Sequence, residues 1–187
     1  GNLTRSERDI NVDGTVDSLT IYNLTYNADG LVAYRQYLYD STNDGTADSK
    51  NETGYTYDAR GNETSRVTLN YTCGTCSDLR STTSYTRTWD ADDNLLSIEY
   101  EYDDSADGYN DRTFMVTYTY DADGNVVVYT QESDNDGDGV VDTTYPGTMT
   151  WTSNGYPLVR RFERDADGDG TFDTWDEENH EYTWMCP

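Results

Sequence analysis

Five nine-residue stretches carry oxygen-bearing side chains in one order: 9–17 (DINVDGTVD), 40–48 (DSTNDGTAD), 103–111 (DDSADGYND), 134–142 (DNDGDGVVD) and 165–173 (DADGDGTFD). Aspartate stands at positions 1, 5 and 9 of every copy, and glycine at position 6. That spacing suits calcium, which takes six to eight oxygens at flexible distances. Side chains at 1, 3 and 5 converge on one centre, the glycine makes the sharp turn, and a carbonyl at position 7 adds a ligand. The candidate ligands are Asp9, Asn11, Asp13, Thr15 and Asp17 in the first loop, and Asp40, Thr42, Asp44, Thr46 and Asp48 in the second. Asp103, Ser105, Asp107, Tyr109 and Asp111 follow, then Asp134, Asp136, Asp138, Val140 and Asp142, then Asp165, Asp167, Asp169, Thr171 and Asp173. Magnesium fits less well, since it demands a tight octahedron and keeps its waters. The alternative is a solvated acidic turn, which Asp and Gly make readily.

An EF-hand is excluded, because its position-12 glutamate is replaced by Thr20, Asn51, Phe114, Tyr145 and Asp176. The short loop closed by Asp at position 9 is similar to the calcium loops of thrombospondin type 3 repeats and dockerins. That resemblance implies calcium and does not imply their folds. Loops 134–142 and 165–173 offer four aspartates each, the first offers three plus Asn11, and the others place Thr42 or Ser105 at position 3. The two four-aspartate loops are therefore expected to bind more strongly than 40–48 and 103–111. Five divalent ions (five times +2) would move the net charge from −25 to −15, so cation binding and folding should be coupled.

The elements that must hold these loops follow from their spacing. The loops start 31, 63, 31 and 31 residues apart, and the double gap holds NYTCGTCSD, 70–78, where the acids are replaced. Between the loops a Thr-aromatic pair recurs at 25/26, 56/57, 88/89, 119/120, 150/151 and 183/184, mostly followed by turn residues such as NADG, DARGN and DADGN. Subtracting loop and turn leaves two strands of about nine residues per repeat, each ~30 Å long at ~3.3 Å per residue. Alternation agrees: Phe114, Val116, Tyr118 and Tyr120 point one way, Met115, Thr117 and Thr119 the other. On the returning strand Ala33, Leu96, Val127 and Leu158 share one position, two residues from Arg35, Ile98, Tyr129 and Arg160. The sequence predicts an all-β, elongated repeat array, a β-meander or β-solenoid, of about six two-stranded repeats with the calcium loops along one edge. It is expected to be a single repeat domain over 1–187, with repeats at roughly 1–25, 26–56, 57–88, 89–119, 120–150 and 151–187.

The motifs YTYDARGN and YTYDADGN resemble the YD (RHS-type) repeat, whose tyrosine-aspartate hairpins coil into elongated or shell-like β structures. The resemblance covers the turn half of five repeats and implies hairpins of that kind. Here each repeat is longer and carries an inserted acidic loop, so a toxin-shell role is not carried over.

In the odd loop, Cys73 and Cys76 occupy positions 4 and 7. A short disulfide stapling the one turn that lacks a cation is the economical reading, while CxxC is also a redox motif or half a zinc site. A zinc site would need His180 and Cys186, which lie more than three repeats away. Cys186 is left over as a free thiol or an intermolecular partner.

A chain with 12 basic against 37 acidic residues does not seek nucleic acid or anionic membrane surfaces. Its 18 tyrosines and 4 tryptophans argue for a fold rather than disorder. No apolar run is long enough to span a membrane, and no signal-peptide pattern opens the sequence, so an exported chain would have shed its leader. His180 is the lone histidine, and no nucleophile context or phosphate loop stands out, so no enzyme activity is expected. The recurrent threonines read as strand formers on a solvent face, with O-glycosylation or an ordered-water surface as sharper alternatives. Sequons at Asn2, Asn23, Asn51, Asn62 and Asn70 are candidate glycosylation sites. The sequence starts just past a turn and stops just before the next, which would leave half a hairpin at each end. Head-to-tail contact between copies would complete the repeat. The expected role is an extracellular or cell-surface structural repeat protein, calcium-stabilised, polymerising into a filament or forming part of a stalk. A calcium-dependent adhesin or carbohydrate-binding module, with glycans as partners, and a fragment of an RHS-like shell are the alternatives.

Overall fold

The computed structural model describes residues 2–9, 16–73, 76–152 and 154–179, with backbone alone for 2–4 and 179. Asn11, Asp13, Thr15, His180, Cys186 and the side chain of Asn2 therefore lie outside the described residues. Twelve strands follow one another: β1 (Asn2–Arg8), β2 (Ser18–Tyr26), β3 (Val32–Asp40), β4 (Ser49–Tyr57), β5 (Glu63–Thr72), β6 (Asp78–Trp89), β7 (Leu95–Asp103), β8 (Arg112–Tyr120), β9 (Val126–Asp134), β10 (Thr143–Trp151), β11 (Pro157–Arg164) and β12 (Thr174–Asn179). Most are nine residues long, as the repeat arithmetic requires. Sheet order equals chain order, so the architecture is an antiparallel meander and not a solenoid of stacked coils. In a meander, successive connections fall at alternate ends of the strands. The acidic loops therefore share one end and the aromatic turns the other.

Contacts divide the chain into two compact units, Gly1–Thr86 with Tyr100–Asp111, and Arg87–Glu99 with Arg112–Pro187. In the first unit, cross-strand pairs form polar ladders. Asn23 Nδ2 donates to Gln36 Oε1 (2.9 Å), and Gln36 Nε2 donates to Glu52 Oε1 (3.1 Å). Glu52 also accepts from Tyr34 Oη (2.8 Å) and Tyr71 Oη (3.0 Å) and pairs with Lys50 Nζ (3.2 Å). Burial works against the charge on Glu52, yet these donors outweigh it and hold the carboxyl at about 2; burial and the same bond push Tyr34 to about 12. On the neighbouring strands Arg66 lies between the rings of Tyr55 (5.3 Å) and Tyr85 (5.4 Å) and pairs with Glu63 (3.0 Å).

In the second unit Ile98 and Val116, at 6% and 8% exposure, are the buried apolar side chains among the described residues of the whole chain. The other buried side chains are polar: Ser18, Asp40, Thr53, Asp103, Asp134, Thr143 and Asp165. Apolar burial is thus thin, and order depends on ladders, turns and loops. The turns show how. Asn27, Asp58, Asp90 and Asp121 each accept, on Oδ1, the N–H two and four residues onward, at 2.8–3.0 Å. The aromatic just before three of the turns reaches back 25 residues: Tyr57 Oη donates to the Val32 carbonyl (2.8 Å), Tyr120 Oη to Leu95 (2.7 Å) and Trp151 Nε1 to Val126 (2.7 Å). At Tyr57–Asp58 and Tyr120–Asp121 the aromatic-Asp pair is therefore one structural device, in which the acid caps its own turn and the ring ties it to the preceding repeat. Thr25, Thr56, Thr88, Thr119 and Thr150 are exposed, as expected of a solvent row.

Candidate metal centre

Each acidic loop is closed by its position-9 N–H, which donates to the carbonyl preceding position 1: Asp17 to Arg8 (2.9 Å), Asp48 to Tyr39 (2.7 Å), Asp111 to Tyr102 (2.7 Å), Asp142 to Ser133 (2.8 Å) and Asp173 to Arg164 (2.7 Å). Within the four loops described in full, the position-1 carboxylates Asp40, Asp103, Asp134 and Asp165 are buried. Each accepts the N–H of the position-6 glycine at 2.8–2.9 Å. The position-9 carboxylate accepts the N–H of position 2, from Ser41, Asp104, Asn135 or Ala166, at 2.6–2.7 Å. The position-5 carboxylate accepts the N–H of position 7, from Thr46, Tyr109, Val140 or Thr171, at 2.7–3.0 Å. Three aspartates per loop thus shape the backbone before any cation arrives. An ionised carboxylate has about four acceptor sites, so each keeps oxygen lone pairs for a metal.

These donors also keep the acids charged. Burial raises the carboxyls of Asp103 and Asp134, but several backbone N–H bonds outweigh it and hold both below the usual range. Asp48 is held low by the Ser41 hydroxyl and N–H. In two loops three carboxylates converge with oxygens within 4.8 Å of one another: Asp134, Asp136 and Asp138 in one, Asp165, Asp167 and Asp173 in the other. These acidic clusters have the geometry to hold a metal ion. They fall in the two four-aspartate loops, while Asp142 and Asp169 stand outside the trios. The loops 40–48 and 103–111 show no such trio among the described residues.

One feature of the loops escaped the sequence reading. Position 4 is left-handed in every described copy, at Asn43 (φ 53°), Ala106 (57°), Gly137 (72°) and Gly168 (70°), as position 6 also is. The signal was there in the second glycine of 134–142 and 165–173. Position 4 also touches the preceding loop. Asn43 Nδ2 donates to the Val16 carbonyl (2.9 Å), and a Cβ on Gly168 would lie 2.5 Å from the Val141 carbonyl oxygen. Val16 and Val141 both occupy position 8, so the contact repeats.

The odd loop keeps this contact by other means. Cys73 and Cys76 form a disulfide, as the economical reading expects, and while it stands neither sulfur is a thiolate that could bind zinc. Cys76 takes the left-handed conformation (φ 53°), and its Sγ lies 3.6 Å from the Ala47 carbonyl, again position 8 of the loop before. A disulfide sulfur carries no proton, so this is a packing contact.

The candidate glycosylation sites Asn23, Asn51 and Asn70 lie within strands, with Asn51 Nδ2 donating to Asn70 Oδ1 (2.6 Å) and Asn70 Nδ2 to Ser81 Oγ (3.1 Å). Asn62 Nδ2 donates to Asp58 Oδ2 (3.3 Å) in its turn.

No protein-family model matches the chain, and no curated protein matches it by sequence. Among solved structures it is similar to part of the Tc holotoxin pore of Photorhabdus luminescens, at 12% identity and TM-score 0.22, over 90% of this chain and 13% of that one. A porin-like protein from Bacteroides uniformis matches at 12% identity and TM-score 0.24, over 95% of both chains. Likenesses at this level carry no functional argument.

Proposed function

We propose that the chain is a calcium-stabilised structural repeat protein that works outside the cell, where its sheet is extended by further repeats or by copies of itself. The observation that carries the calcium reading is the convergence of three carboxylates in loops 134–142 and 165–173, on a backbone already shaped by aspartate caps. Like charges so close repel, and a divalent ion relieves that repulsion where magnesium's rigid shell would not fit. The disulfide Cys73–Cys76 supports an oxidising, extracellular setting. Calcium there is abundant enough for modest sites.

Extension is supported by the sheet edges. Among the described residues β1 and β12 each have one neighbour, which leaves a row of backbone groups open to another strand. β1 carries Arg8 and an Arg5–Glu7 ion pair, a net charge of one positive unit, and β12 carries Asp176, Glu177 and Glu178. If the β2–β3 register (Leu19 opposite Asp40) continued across copies, Asp176 would face Arg8 of the next one.

Calorimetry with calcium on the whole chain tests the metal reading. Asp138→Ala is expected to remove a stronger site than Asp44→Ala removes. Equal losses would overturn the proposed order of sites, and no heat of binding would overturn calcium itself.

A further inference from the structure

The first unit holds a concavity of about 470 Å³ lined by Tyr22, Arg35, Tyr37, Asn51, Asn70 and Arg80, together with parts of Lys50 and Tyr71. It gathers three of the chain's 12 basic residues in a molecule of net charge −25. Lys50 is engaged by Glu52 and by the Tyr71 ring (3.9 Å). The two arginines are different: among the described residues neither is within ion-pair distance of a carboxylate.

The repeat supplies a comparison. Arg35, Arg66 and Arg160 each stand eight residues after the head of their turn, at Asn27, Asp58 and Thr152. Arg66 pairs with Glu63 and lies between two tyrosine rings, whereas Arg160, in register opposite Glu178, makes no ion pair among the described residues. Arg35 stands opposite Leu24 and Thr53, and its one hydrogen bond is a long contact to Thr53 Oγ1 at 3.5 Å. With 37 acids available, a half-buried guanidinium left without one is poised for an anion from outside.

We infer that this concavity binds a singly charged acidic sugar, with Arg35 and Arg80 on its carboxylate. Tyr22 and Tyr37, tilted at 59° with centroids 5.3 Å apart, offer a ring face for the apolar side of a pyranose. Asn51 and Asn70 each use one N–H of their carboxamide in the strand-to-strand ladder, which leaves the second for sugar hydroxyls. The surrounding negative field repels long polyanions, so the site favours one charge on a small ring. The inference does not depend on the calcium reading.

Chemical-shift titration of the whole chain in calcium buffer tests it, with methyl β-D-glucuronide, methyl β-D-glucoside and acetate as probes. The glucuronide is expected to saturate, shifting Tyr22, Tyr37, Asn51 and Asn70, and Arg80→Gln should weaken it about tenfold or more. Arg80 is exposed and makes no side-chain hydrogen bond or ion pair with a described residue, so its replacement is expected to leave the fold intact; Arg35→Gln should act in the same direction. No saturation by about 50 mM glucuronide, an equal response to the glucoside or to acetate, or indifference to Arg80→Gln would each overturn the proposal.

Discussion

Ala106 holds φ 57°, a conformation that suits glycine and that the equivalent Gly137 and Gly168 adopt freely. A left-handed alanine costs roughly 1–2 kcal/mol. Ala106→Gly is therefore expected to stabilise the chain by about 0.5–1 kcal/mol after the added freedom of the unfolded glycine is subtracted, as measured by chemical denaturation. Loss of stability would show that the alanine methyl is packed. Glu52 makes a second case at this scale. Its carboxyl, at about 2 when folded against an ordinary 4.5, contributes stability that is complete above the ordinary value and lost as pH falls through about 2. Glu52→Gln should flatten that part of the acid-unfolding curve. Tyr34, raised to about 12, acts with the opposite sign, its contribution disappearing as pH rises from 10 through 12.

The hairpin is the element that repeats, and its aromatic turn does two jobs. Tyr120 donates to the Leu95 carbonyl while Asp121 caps the turn that follows. Tyr120→Phe keeps the ring and removes one hydrogen bond, so it should cost about 0.5–1.5 kcal/mol with the fold retained; an unchanged melting temperature would mean that water replaces the bond. The YD motif marks these hairpins in the sequence, whereas the backward reach of the ring leaves no mark there. That reach links residues 25 apart and exists only once neighbouring repeats are side by side. The acidic loops were legible in a similar, partial way. Their ligand-like order was plain, whereas the use of the same aspartates as backbone caps was not, because a carboxylate's partners depend on where the chain turns.

At the scale of the whole molecule, the charge is −25 and few apolar side chains are buried among the described residues. Cations that bind the folded loops and not the unfolded chain should then raise stability by mass action. Millimolar calcium is expected to raise the melting temperature over that in chelator, and to promote association visible by electron microscopy and sedimentation. A chain that melts identically in both would sink the calcium reading. Monodisperse monomers in calcium would sink self-assembly alone and leave the metal sites standing.

By itself, the sequence determined the strand count per repeat, the meander-compatible spacing, the placement of acidic loops at one end, and the replacement of one loop by a cysteine pair. All of these follow from periodicity, which is a property of one dimension. Only the tertiary structure decided between meander and solenoid, paired Cys73 with Cys76, and gathered Asp134, Asp136 and Asp138 apart from Asp142. It alone left Arg35 without the acid that its counterpart Arg66 has. Those outcomes depend on which side chains meet across strands, and strand register brings together residues that no local pattern connects.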